Sequence, residues 1–201
     1  MKIASILFGV LAVAFILVQL FALNSQRNIE MYPYVVTKTY DQFEIRQYNS
    51  TLFTTVKLSN SSYKEASSEG FSILAGYIFG ANERREKIAM TSPVAMTLED
   101  SMTMSFMVPR KFDLKTLPQP DQSQILFKEE PAKTVAAISF NGWANDAKIE
   151  KYKQQLISAL ISAGLTHFNR FQFLGYNAPY EVFNRKNEVI VELQNDNSNQ
   201  N

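Results

Sequence analysis

Apolar positions along the chain fall into three regimes. Between residues 3 and 23 they are nearly continuous: "IASILFGVLAVAFILVQLFAL" carries no charge, and Ser5 and Gln19 are its polar side chains. At about 1.5 Å per residue, such a helix matches the roughly 30 Å hydrocarbon core of a bilayer. From residue 28 to 193 the pattern switches between helical and strand periods. The last stretch, "QNDNSNQN" (194–201), has no apolar anchor and is expected to be disordered.

Two segments in the middle regime have the helical period. "SYKEASSEGFSILAGYIFG" begins with Ser62 and Glu65 at capping-box spacing and stops at Gly80. Its apolar stripe, Tyr63, Ala66, Phe71, Leu74, Tyr77 and Ile78, suits a face packed on a sheet. A separate flank carries the small residues Ser68, Ser72, Gly76 and Gly80, which allow a flat ligand or another backbone to approach closely. The second helix is expected over 146–163, capped by Asn145 and ended by Gly164.

The rest alternates with period two and reads as strands: "FEIRQY" and "LFTTVKL" before the first helix, "MTMSFMVP" after it. "ILFKEE" and "TVAAISF" precede the second helix; "FQFLGY" and "NEVIVEL" follow it. The order is β-β-helix-β-β, twice. In each half the helix is followed by a strand region containing proline, Pro93 or Pro179, and proline suits an edge, a bulge or a crossover. Two such halves predict an α+β fold, an antiparallel barrel or curved sheet with a helix pair on it.

Composition narrows the chemistry. The chain of 201 residues has a net charge of +1, so no field of one sign points to nucleic acid. It has no cysteine, which excludes disulfides, thiolate catalysis, cysteine-ligated metals and covalent haem attachment through a C-x-x-C-H motif. His167 is the one histidine, so a multi-histidine metal site is excluded as well. No nucleophile elbow or phosphate loop is present.

The apolar N-terminus is expected to be an uncleaved anchor comprising residues 1–24. "AVA" at 12–14 resembles a signal-peptidase site, but cleavage there would leave "FILVQLFAL" on the mature chain. Lys2 lies on one side of the span and Arg27 on the other. With the terminal amine added, this favours a cytoplasmic N-terminus and an extracytoplasmic domain.

"YIFGANERREKIAMTSPVAMT", with Gly80, Asn82, Lys87, Ile88, Met90, Thr91, Pro93 and Val94, resembles the signature of the SOUL haem-binding protein family. "YDQFEIRQY" (40–48), "MSFMVP" (104–109), "YNAP" (176–179) and "RKNEVIVEL" (185–193) extend the resemblance over nearly all of residues 28–193. It implies a distorted antiparallel β-barrel built from a duplicated βαββ-type unit with two helices, related to effector-binding domains of transcription regulators. It also implies a non-enzymatic protein that binds haem or another tetrapyrrole non-covalently.

On that reading the groove beside the first helix would use Ser68, Ser72, Gly76 and Met90, with Arg84, Arg85 and Lys87 facing the propionates. Other methionines, at 96, 102, 104 and 107, could line an adaptable apolar pocket, or belong to the core. His167 follows a helix and reads as a surface residue, so the axial ligand is left open. Glu44, Arg46, Arg185 and Glu188 read as cross-strand charge pairs. Two alternatives remain: a binding module for another apolar small molecule, or a small-ligand hydrolase using Glu181 or Glu188 with a raised pKa.

Overall fold

In the computed structural model of this chain, the described residues are 7, 9–15, 17–19, 29–59, 62–99 and 101–194. The strands are β1 (Glu30–Met31), β2 (Tyr34–Thr39), β3 (Glu44–Tyr48), β4 (Thr51–Lys57), β5 (Thr91–Ser92), β6 (Val94–Thr97), β7 (Thr103–Met107), β8 (Ile125–Glu130), β9 (Lys133–Asn141), β10 (His167–Gly175) and β11 (Lys186–Leu193). The two helices of the repeat are α1 (Tyr63–Ile78) and α2 (Asp146–Ser162).

Nine strands form one antiparallel sheet in the order β2-β3-β9-β11-β10-β6-β7-β4-β8. The duplication is visible in this order: β4, β6 and β7 surround α1 as β9, β10 and β11 surround α2, and β6 pairs with β10 at the centre. The first strand of each half crosses to the other half, β3 pairing with β9 and β8 with β4. Neither half therefore has a complete sheet of its own.

Of the expected forms the sheet takes the curved one: it is a curled half-barrel and does not close, because β2 and β8 each pair on one side only among the described residues. β8 protects its free edge with Lys128, Glu129 and Glu130. The pattern also does not predict β2, whose residues are almost all exposed and show no buried alternation.

Both helices lie on one face of the sheet. Ala66, Leu74, Tyr77 and Ile78 of α1 and Ile149, Leu156 and Leu160 of α2 pack on Val56, Met104, Phe106, Ile138, Phe140, Val189 and Val191. The valine, leucine, isoleucine, methionine and phenylalanine side chains among them each contribute roughly 1.5–3 kcal/mol when fully buried, which is what fixes the helices to the sheet. Gly70 lets α1 descend: a Cβ there would sit 3.0 Å from Leu58 Cδ1 and Met104 Cβ. A second cluster, including Tyr32, Tyr48, Phe53, Met107, Leu174 and Ile190, covers the opposite face.

The caps are as expected. Ser62 Oγ accepts from Glu65 N, Asn145 Oδ1 accepts from Lys148 N at 2.8 Å, and Gly164 takes φ +67° after α2. Asp146 adds a bond that sequence does not reveal, its Oδ1 accepting from Tyr63 N at 2.6 Å and joining the starts of the two helices.

Among the described residues no helix is long and apolar enough to cross a membrane. Residues 9–15 and 17–19 are helical, and the expected span of 3–23 lies partly outside the described residues. In the tail, Gln194 N donates to Thr166 O, and 195–201 lie outside them.

Candidate functional site

The small-residue flank of α1 does not pack on another backbone. Ser68 and Ser72 are exposed, and a Cβ built on Gly76 would meet nothing within 4 Å. The close approach to the sheet is made one flank away, at Gly70. What faces Ser68, Ser72 and Gly76 is a cavity of about 960 Å³. This is at the upper end of the ~300–1,000 Å³ found for small-molecule sites.

Strand alternation supplies the floor of this groove: Val94 and Met96 from β6, Phe173 and Gly175 from β10, and Asn187 from β11. On the α1 side stand Tyr63, Phe71 and Phe79, with Tyr63 edge-on to Phe173 at 5.0 Å. The far wall is the turn that starts α2, from Trp143 to Asp146, together with Pro179 and Arg185. The Asp146–Tyr63 bond closes the groove at the shared end of the helices.

Arg185 is the notable charge. Its guanidinium lies 3.9 Å from the Trp143 ring, and Nη1 donates to Ala178 O at 3.0 Å and Glu181 O at 2.6 Å. Those bonds fold the 176–185 loop back onto the strand. Nε is buried and has no hydrogen-bond partner. Burial pushes the guanidinium's pKa down from its ordinary value, with Tyr63 and Glu181 opposing. Arg185 nevertheless stands in the groove lining, where its guanidinium charge favours an anionic group on a ligand. Lys64 is the other cation of the lining.

Of the candidate residues, Ser68, Ser72 and Gly76 line the groove; Met90, Arg84, Arg85 and Lys87 do not. Gly80, at φ +116°, ends α1, and Asn82 then folds the loop on itself. Its Nδ2 donates to Tyr77 O and Glu86 O, and its Oδ1 accepts from Arg84 N and Glu86 N. The loop leans on residues 113–121: Arg84 bonds Thr116 O and pairs with Glu86, and Arg85 pairs with Asp121 at 2.8 Å. Lys87 is exposed, and Met90 is half-buried against the core. Most of "EKIAMTSPVAMT" is thus scaffold: Ile88 is core, Thr91 Oγ1 donates to Met107 O at 2.6 Å, and Pro93 follows a cis peptide bond. Val94 and Met96 are its contribution to the groove.

Met102, Met104 and Met107 belong to the core. His167, at the start of β10, is outside the groove lining, with its ring against Phe171 at 5.3 Å. Trp143 is the lining residue that sequence reasoning passes over, and Arg185, expected in a cross-strand charge pair, instead bonds loop carbonyls and stacks on Trp143. The signals were a lone tryptophan in the turn "NGWAND" and an arginine heading the "RKNEVIVEL" motif.

The carboxylates of the hydrolase alternative lie elsewhere. Glu188 is fully buried on the other face of the sheet, in bidentate contact with Arg46 at 2.8 and 3.0 Å. Burial alone would raise its pKa, but the Arg46 bonds and charge, with Tyr176 and Lys186, draw it down to about 2. That direction is opposite to what a general acid near neutral pH requires. Glu181 is buried in the 176–185 loop and accepts from Asn177 Nδ2 at 2.6 Å.

The sequence over residues 29–192 matches the family model described as "SOUL heme-binding protein". Among curated relatives, heme-binding protein 2 of Homo sapiens is 29% identical over 170 residues, 79% of this chain and 82% of that protein. Heme-binding protein 1 of Xenopus laevis is 27% identical over 155 residues, covering 73% and 81%. Among solved structures, the EcmrR C-terminal domain aligns with a TM-score of 0.61 at 10% identity, covering 76% of this chain and 97% of that one. A hydrolase from Listeria innocua aligns at 0.53 with 10% identity, covering 79% and 94%. These two similarities establish the fold.

Proposed function

From its membership of the SOUL haem-binding protein family, to which this chain belongs, we propose that it binds haem or a closely related tetrapyrrole in the α1 groove, without enzymatic turnover. The observation that carries this reading is the groove itself, an apolar slot of about 960 Å³ beside a helix flank with no side chain at Gly76. The residues present fit the group. A haem brings a flat apolar macrocycle and two propionate carboxylates. Ser68, Ser72 and Gly76 leave room for a planar face, and Phe71, Met96 and Phe173 offer apolar contact. Arg185 and Lys64 supply positive charge.

The donor set favours a macrocycle held by its faces and carboxylates over one held by a strong bond to iron. No histidine or cysteine lines the groove. Burial raises the pKa of Tyr63, keeping its phenol protonated and a weak ligand. Metal-free protoporphyrin is therefore expected to bind about as well as hemin. A binding module for another apolar anion in the same groove is the second reading, favoured by this same lack of a histidine or cysteine for iron.

The membrane tether belongs to the proposal. Residues 3–23 anchor the chain, with the N-terminus cytoplasmic and the domain outside, because the span is uncharged and long enough to cross. The test is a Soret titration of the full-length chain in lipid nanodiscs with hemin and, separately, with protoporphyrin, blanked against empty nanodiscs. Saturable binding of both supports the proposal. Binding of neither rejects it, and binding of hemin alone shows a direct iron ligand.

A further inference from the structure

We infer that the 180–183 rim of the groove is inserted into the outer leaflet of the bilayer, so that the ligand passes between groove and bilayer without entering bulk water. This rests on the groove and anchor readings above. The N-terminal helical residues are apolar on every side: Leu7, Val10, Leu11, Val13 and Leu17 are exposed at 57%, 62%, 65%, 58% and 60%. A helix exposing apolar side chains all round needs a cover of lipid or protein, and the uncharged stretch 3–23 suits lipid.

This helix is joined to the groove's own loop. Gln19, its one buried described residue, donates from Nε2 to Tyr180 O at 3.0 Å and accepts at Oε1 from Val182 N at 3.3 Å. One turn earlier, Phe15 meets Phe183 edge-on at 6.4 Å. The same loop, 176–185, carries Asn177, Pro179 and Arg185 of the groove lining. Around the junction Tyr180, Val182 and Phe183 are exposed at 51%, 42% and 59%, and Trp143, stacked on Arg185, at 55%.

Exposed tyrosine, phenylalanine and tryptophan beside the outer half of an apolar helix are the side chains that settle in the outer leaflet and at the membrane–water interface. A domain held off the bilayer on a loose tether would have no reason to bond its helix to the loop that forms the groove rim. For an apolar ligand the arrangement has a direct consequence, because lipid is where a free tetrapyrrole partitions.

Trp143 is the only tryptophan, so it reports on its own position. The ligand-free full-length chain is placed in nanodiscs whose lipids carry a quencher either near the headgroup or at the chain end. The expected result is loss of Trp143 emission with the shallow quencher, much less with the deep one, and recovery in the double variant Tyr180→Asp, Phe183→Asp. Neither residue lines the groove, so hemin binding by that variant should be retained. Protein that stays in the discs with Trp143 unquenched overturns the inference, and so does crosslinking through position 183 to a second copy. Failure to enter the discs at all overturns it together with the anchor, while the Soret titration still judges the groove separately.

Discussion

Strands β10 and β11 present two surfaces one residue apart and opposite in character. On the helix side Phe173, Gly175 and Asn187 floor an open groove. On the other side Leu174, Tyr176 and Glu188 close a sealed centre. There Glu188 takes both Arg46 nitrogens, the Ser139 hydroxyl at 2.9 Å, the Tyr176 hydroxyl and the Lys186 ammonium at 3.0 Å. Arg46 also pairs with Glu44 at 2.8 Å and lies 4.3 Å from the Tyr34 ring. Arg46 reaches Glu188 across the intervening β9, so the network ties the first strand of one half to the last strand of the other. The charge network seals one face completely, whereas the other, besides the core that holds both helices, leaves a slot open between them. Because the side-chain period is two, substitutions at neighbouring positions should separate folding from binding.

The largest effect expected is on the sealed face. Glu188→Gln removes the main counter-charge of a buried guanidinium and should destabilise the chain by about 3–5 kcal/mol in chemical denaturation. Hemin affinity of the remaining folded fraction should be unchanged. A loss of affinity without loss of stability would reverse the roles of the two faces.

The same network predicts an acid limb. The Glu188 carboxyl has its pKa lowered from 4.5 to about 2 in the folded chain. Its contribution is therefore fully present above the unfolded value and is lost as pH falls from about 5 towards 2. A shift of this size corresponds to roughly 3 kcal/mol. Denaturation midpoints measured over that range should show this loss in the native chain and not in Glu188→Gln.

On the groove face, Arg185→Ala should weaken hemin binding. A charge-assisted hydrogen bond contributes about 1.5–3 kcal/mol, so the loss should be roughly tenfold to a hundredfold. Esterified hemin, which has no carboxylate for Arg185, should bind the native chain and the variant alike. The smallest effect is reserved for Arg84, Arg85 and Lys87. Replacing all three by glutamine should leave hemin affinity within twofold and change stability by no more than about 1 kcal/mol, since their pairs are exposed. A large effect there would move the anion site to the loop after α1.

The helices, their caps and the two-fold repeat were legible because they depend on local periods and on single residues such as Ser62, Asn145 and Gly164. Strand β2 was not, because Val35 and Val36 are exposed at 65% and 42% and its pairing partner is β3 rather than a core. Closure of the sheet was also illegible, since it depends on where β3 and β8 cross. The groove was legible on one side. Ser68, Ser72 and Gly76 are spaced by four, so they share a flank whatever lies opposite. Arg84, Arg85 and Lys87 fall outside the groove lining because the Asn82 bonds, not sequence proximity, set the direction of the loop. Arg185 lies far along the chain and reaches the groove through the folding of the 176–185 loop.

Gly76→Leu tests the central claim most directly. Its Cβ would enter open space, and the substitution gains roughly 1 kcal/mol of helix propensity, so the variant should fold with a melting temperature no lower than the native chain. The side chain should fill the slot between α1 and the strand floor. The account predicts that hemin titration of this folded variant shows no saturable Soret change. Native-like binding by Gly76→Leu, at unchanged stability, would contradict it and place the ligand elsewhere.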